Sequence, residues 1–92
     1  MLQAGLLNLI GNTPLLELTG LSPKPGIHIF AKLEGQNPSG SVKDRAVLAM
    51  VDAAEKCGDL KSGDTIVEAS SGNTAIALAM VCRQKGYKLR VI

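Results

Sequence analysis

The spacing of apolar and polar residues changes several times along the chain. Residues 4–10 group their apolar positions as a short helix would, and Gly11-Asn12 and Pro14 stop it. Leu15 to Leu18 reads as a short strand. Ser22-Pro23-Lys24-Pro25-Gly26 is a turn, with prolines fixing φ and a glycine free to take positive φ. Ile27 to Leu33 alternates apolar with small or polar residues, the mark of a strand with one face more buried. After a loop from Gly35 to Gly40, Val42, Ala46, Met50, Ala53 and Cys57 recur at helical spacing, predicting a helix over Val42–Cys57 that Gly58 ends. Asp59 to Asp64 is a polar connection, and Thr65 to Ala69 is a buried-type strand. A tight loop, Ser70-Ser71-Gly72-Asn73, opens a second helix to about Lys85. Gly86 closes it behind Arg83 and Lys85, cations suited to that end. Lys88 to Ile92 is another strand.

The order strand, helix, strand, helix, strand argues for an α/β fold with parallel strands joined by right-handed crossovers. Ala75 to Cys82 is apolar all round, so that helix should be covered on more than one side. The last strand stops where an α/β sheet would continue, and an open apolar edge is a liability. The expectation is therefore the first part of a larger protein.

Composition narrows the function classes. The chain has 92 residues, one small domain, with 46% hydrophobic and 20% charged residues, a globular balance. A net charge of +2 from scattered basic residues, with one Tyr, one Phe and no Trp for base stacking, argues against a nucleic-acid partner. Cys57 and Cys82 fall on helices in apolar surroundings, which predicts buried, reduced thiols in a cytoplasmic protein. A single histidine, His28, argues against a metal site and suits an exposed strand position. The first ten residues have no basic region of a targeting segment. The longest apolar run, Ala75 to Cys82, is far too short to span a bilayer, so no membrane partner is expected.

Candidate chemistry lies at the two helix starts. Ser41 and Asp44 fit a capping box, with Ser41 at the N-cap and Asp44 three residues on. Lys43 then sits where the helix carries partial positive charge, the wrong end for a cation. Spacing alone favours a solvated surface lysine. The effect of the helix end, roughly 0.3–1 kcal/mol, is too small to neutralise an ordinary lysine. A functional role would need burial or a covalent partner, such as an aldehyde cofactor. Gly35 to Gly40 has the glycine frame of a phosphate-binding P-loop, but Ser41 and Val42 stand where Lys and Ser or Thr belong. The second loop, Ser70-Ser71-Gly72-Asn73-Thr74, brings backbone N–H groups and hydroxyls to a helix N-terminus, a place for a carboxylate or phosphate. A plain strand-to-helix turn capped by Ser71 or Asn73 would read the same way. Two such starts at the same ends of adjacent parallel strands would make a cleft where ligands of α/β proteins bind.

NPSGSVKDR, residues 37–45, followed by SSGNT at residues 70–74, resembles the fold-type II pyridoxal-phosphate enzymes (the tryptophan synthase β-like fold). IGNTPL (Ile10–Leu15), KLEGQNPSGSVKDR (Lys32–Arg45), AEKCGDLKSGDTIVEASSGNT and KGY look most like the cysteine synthases, or O-acetylserine sulfhydrylases. KLEG is similar to the B-type, and the likeness covers essentially the whole chain.

The resemblance implies pyridoxal 5'-phosphate as cofactor and an amino acid as small-molecule substrate. Lys43 would carry the cofactor as an internal aldimine and later remove the substrate α-proton. Asn73 would hydrogen-bond the ring hydroxyl oxygen, and Ser70, Ser71, Gly72, Asn73 and Thr74 would hold the substrate carboxylate. The implied reaction is β-replacement: acetate leaves O-acetylserine and sulfide adds. Cystathionine β-synthase and serine or threonine dehydratase are alternatives within the fold, and a non-catalytic carboxylate-binding module is one outside it. Residues 1–36 would belong to the larger cofactor domain and 37–92 to the smaller substrate domain of a homodimeric full-length protein. Ser70 stands where Thr is usual, Ala69 where Pro is, and Ala75 where Gly is. The family's glycine-rich phosphate cup and pyridine-nitrogen partner lie further along, so these residues alone should show little activity.

Overall fold

The computed structural model describes residues 5–92. Ala4, the first residue of the predicted N-terminal helix, lies outside the described residues; the rest of that segment forms a single 3-10 turn, Leu6–Leu9. Strand β1 (Leu15–Glu17) pairs antiparallel with β2 (Phe30–Lys32), Leu16 facing Ala31. Helix α1 is Lys43–Cys57, β3 is Thr65–Glu68, α2 is Asn73–Lys85 and β4 is Lys88–Val91. Strands β3 and β4 are parallel, Ile66 facing Leu89, joined through α2 as the α/β reading requires. The first strand of the expected run departs from that reading. β2 does not join β3 but forms a separate two-stranded sheet with β1. The intervening turn, Ser22 to Gly26 with φ +87° at Gly26, folds the chain back, so the nearest partner is antiparallel.

The core is the seam between the helices. Val47 and Val51 of α1 meet Ala77, Leu78, Val81 and Cys82 of α2, all buried. Leu7, Ile10, Leu60, Ile66, Tyr87 and Leu89 pack around them. On α1 this is not the face that the spacing singled out. Val42, Ala46, Met50, Ala53 and Cys57 are all exposed, Met50 at 55%. α1 carries two apolar stripes, and α2 packs on the one that holds Val47 and Val51. Cys57, expected to be buried, therefore lies on the open side, while Cys82 is buried as expected. α2 is likewise covered on one side only, with Ile76 and Ala79 exposed.

Both helices end as read. Gly58 and Gly86 take the left-handed conformation (φ +84° in each), and the N–H groups of Gly86 and Tyr87 donate to the Cys82 carbonyl. Lys85 leaves the helix end and ties α2 to α1, donating to Asp52 Oδ1 at 2.9 Å and to Glu55 Oε1 at 2.7 Å. The Tyr87 hydroxyl donates to the other Glu55 oxygen at 2.5 Å. Helices cover one face of the β3–β4 sheet, and Val67 on the other face is 57% exposed. The radius of gyration is 16.7 Å, against about 12 Å for a compact domain of this size.

The seam should carry the stability and the second stripe should not. Val47→Ala should lower the unfolding free energy by about 2 kcal/mol, from two lost methyl groups and the cavity they leave. Met50→Ala should change it by no more than about 0.5 kcal/mol. Urea unfolding followed by circular dichroism separates the two, and equal losses would mean the other stripe is the buried one.

Candidate functional site

α1 and α2 run in the same direction. Lys85, at the end of α2, bridges residues in the second half of α1, while Val47 and Val51 share a core with Ala77 and Leu78. The bridges set an offset of 30–33 residues between the helices. At an equal rise per residue in both, that offset puts Lys43 level with Asn73 to Ile76. The two helix starts therefore lie side by side at one end of the seam. They reach this arrangement through helix packing, since β2 is not the neighbour of β3 that the cleft reading required.

The start of α2 is open. Gly72 is the N-cap residue, and no side chain caps the helix. Ser70 Oγ accepts a long hydrogen bond, 3.4 Å, from the Gly72 N–H, and the Gly72 carbonyl accepts from the Ile76 N–H. The N–H groups of Asn73, Thr74 and Ala75 have no protein partner among the described residues. Ser71, Gly72 and Asn73 are exposed, and Ser70 and Thr74 are half-buried. Three free donors and several hydroxyls at a positive helix end can hold an anion.

The start of α1 differs from the expected capping box. Val42 precedes the helix, and Ser41 Oγ accepts from the Lys43 N–H at 3.2 Å. Asp44 does not reach back to Ser41. Its carboxylate, fully buried, accepts from the Ser39 N–H at 2.8 Å and from the Ser39 hydroxyl. Gly40, at φ +97°, turns the chain so that Ser39 lies over the first turn, closer to the short aspartate than Ser41 is. The Lys43 amine is exposed and has no hydrogen bond or ion pair among the described residues.

A polar cluster that the spacing did not disclose holds this turn. Arg45 forks onto Glu34, Nε to Oε1 at 2.5 Å and Nη2 to Oε2 at 3.2 Å. The Thr13 hydroxyl donates to Glu34 Oε2 and accepts from Arg45 Nη2 at 3.2 Å. Asn37 Nδ2 donates to the Glu34 carbonyl at 2.9 Å, and Asn37 Oδ1 accepts from the Gly11 N–H at 2.8 Å. A β-carbon on Gly11 would stand 3.0 Å from Arg45 Nη1 and crowd the guanidinium, and the φ of +85° there also favours glycine. The Arg45 guanidinium, with Thr13 and Asn37, pulls the Glu34 carboxyl down from 4.5 to about 2. The one available signal was charge order, an acidic residue eleven positions before an arginine, which is too common to single out.

Two concave regions lie elsewhere. A cleft of about 300 Å³ lies between Asn8–Pro14 and Gln36–Pro38, and an apolar groove of about 240 Å³ runs between Met50, Leu60, Ile66 and Leu78. Lys43 and residues 70–74 line neither. Chemically, the paired helix starts offer one amine free to meet a carbonyl and a donor-rich loop free to meet an anion.

Comparison with known proteins agrees with this chemistry. The family model described as pyridoxal-phosphate dependent enzyme matches residues 6–92. The chain is 57% identical over 83 residues to cysteine synthase B of Salmonella typhimurium, covering 90% of this chain and 27% of that protein. It is 60% identical over 85 residues to cysteine synthase 1 of Emericella nidulans, covering 92% and 23%. The crystal structure of O-ureido-L-serine synthase superposes with a TM-score of 0.90 at 46% identity, covering 99% of this chain and 28% of that one. The chain thus spans about a quarter of the length of the curated relatives it matches. The donor set fits pyridoxal phosphate: an amine with no ion pair to break, beside open N–H groups for an anion.

The Glu34 shift sets a pH dependence. A carboxyl depressed on folding contributes stability that is complete above its unfolded value, near 4.5, and is lost as pH falls toward 2. Denaturant midpoints measured from pH 6 to pH 2.5 should fall more steeply for the native chain than for Glu34→Gln. Parallel curves would remove Glu34 from the cluster's energetics.

Proposed function

Because this chain belongs to the family of pyridoxal-phosphate dependent enzymes, we propose that it is the N-terminal part of a cysteine synthase, replacing the acetate of O-acetylserine with sulfide. One observation carries this reading: the unpaired Lys43 amine stands level with the uncapped start of α2. Lys43 would hold the cofactor by its aldehyde, and its Nζ would take the substrate α-proton. Asn73 would hold the cofactor ring through its side-chain amide. Ser70, Ser71, Gly72, Asn73 and Thr74 grip the α-carboxylate with hydroxyls and N–H groups, which fixes the α-carbon near Lys43. The bound cofactor supplies the electron sink that makes removal of that proton feasible.

The similarity to O-ureido-L-serine synthase supports a second reading, the same β-replacement yielding a serine derivative other than cysteine. In the whole protein, residues 1–36 belong to a larger cofactor domain and 37–92 to a smaller substrate domain. The separate β1–β2 and β3–β4 sheets support that division. We place the whole protein in the cytoplasm as a homodimer; the free thiols of Cys57 and Cys82 support the compartment. No helix among the described residues is long and apolar enough to cross a membrane.

Borohydride reduction of the full-length protein with pyridoxal phosphate, followed by peptide mass analysis, should leave the cofactor mass on Lys43. Cofactor on another lysine, or none, would reject the assignment. Lys43→Ala should lower turnover of O-acetylserine and sulfide by ~10³-fold or more. Ser71→Ala should raise KM for the amino acid by about tenfold, the loss of one hydrogen bond to a charged group.

A further inference from the structure

Three consecutive residues leave the first turn of α1 at steps of about 100°. Asp44 is clamped to Ser39, and Arg45 is clamped to Glu34 and Thr13. The third, Lys43, has no side-chain partner among the described residues. Two clamped neighbours fix both the rotation of the helix about its axis and the level of its first turn. The direction in which Lys43 leaves the helix is then set by groups that never touch it.

We propose that Arg45, through its fork to Glu34, is a positioning residue for the Lys43 amine. The fork joins three segments distant in sequence. Glu34 follows β2, Thr13 precedes β1, and Asn37 ties the loop between β2 and α1 to Gly11 through its amide oxygen. The N–H···O bonds come from a planar guanidinium, so the joint resists twisting as well as separation. Asp44 adds a second, independent anchor: a buried carboxylate with no cation against it among the described residues, held by the Ser39 N–H and hydroxyl at the positive helix end. The hydrogen bonds of both residues go to Ser39, Glu34 and Thr13, and none goes to the start of α2 among the described residues. Loss of the fork should therefore disturb the amine and leave carboxylate capture alone. This inference rests on the role proposed for Lys43.

The test uses the full-length protein, freed of cofactor, in native form and as Arg45→Gln and Arg45→Lys, each then mixed with pyridoxal phosphate. The rate at which borohydride-trapped cofactor accumulates on Lys43 should fall ~10- to ~100-fold in Arg45→Gln, the scale of a small misplacement of a reacting group. kcat should fall with it while KM for the amino acid stays within about twofold. Arg45→Lys, which keeps the charge but loses the fork, should recover less than half of the rate. Attachment and kcat at native levels in Arg45→Gln, or KM rising in step with the loss of kcat, would overturn the proposal. Should Arg45→Gln fail to give a cooperative melting curve, Glu34→Gln replaces it. That variant keeps Arg45 but weakens its fork and should slow attachment about threefold or more; a native rate would overturn the proposal. Absence of cofactor from Lys43 in the native protein would instead refute the parent role, whatever Arg45 does.

Discussion

The charge-assisted fork between Arg45 and Glu34 is the interaction on which the arrangement of this chain depends. The two small sheets share no strands, and the hydrophobic seam joins only α1, α2 and the residues packed around them. Apart from Leu7 and Ile10, which pack on the seam, the fastening of β1, β2 and their loops to α1 is polar: Arg45, Glu34, Thr13, Asn37 and the Gly11 N–H. The Arg45 side chain is 41% exposed and the Glu34 side chain 19%, so solvent screens part of the attraction. Its worth is geometric more than energetic, because a bidentate pair fixes an angle that apolar packing would leave loose.

Packing sets the rest. Valine, alanine and cysteine at the seam let α1 and α2 lie close and parallel, and Lys85 locks their relative level through Asp52 and Glu55. Those two carboxylates hold the lysine proton tightly, raising its affinity for it, while Lys85 and Tyr87 lower that of Glu55. A feature at the far end of the helices thus registers the starts where chemistry is proposed. Neither helix start is capped in the ordinary way, and at α2 the uncapped N–H groups are the donors that an anionic ligand would use.

Much of this was legible in the residues. Gly58 and Gly86 marked both helix ends, and the β3–α2–β4 unit followed from period and punctuation. Motif likeness led to the family that the comparisons show. Three things were not legible, each for a physical reason. The buried face of α1 is not decided by spacing, because two apolar stripes compete and only packing against α2 chooses between them. The capping box failed because Gly40 brings Ser39, not Ser41, over the aspartate. The fork escaped notice because its residues come from three segments that only the folded chain brings together.

Exposure of Cys57 makes α1 a ready-made ruler. Cys82 is buried and its thiol is pushed up by desolvation, so a thiol-directed dye would choose Cys57. Fourteen residue steps of rigid helix separate that sulfur from Lys43, about 21 Å at 1.5 Å each. A fluorophore there would sit within energy-transfer range of any chromophore on the lysine, with a spacing that the helix itself dictates. Occupancy at one end of the helix could then be read optically from the other.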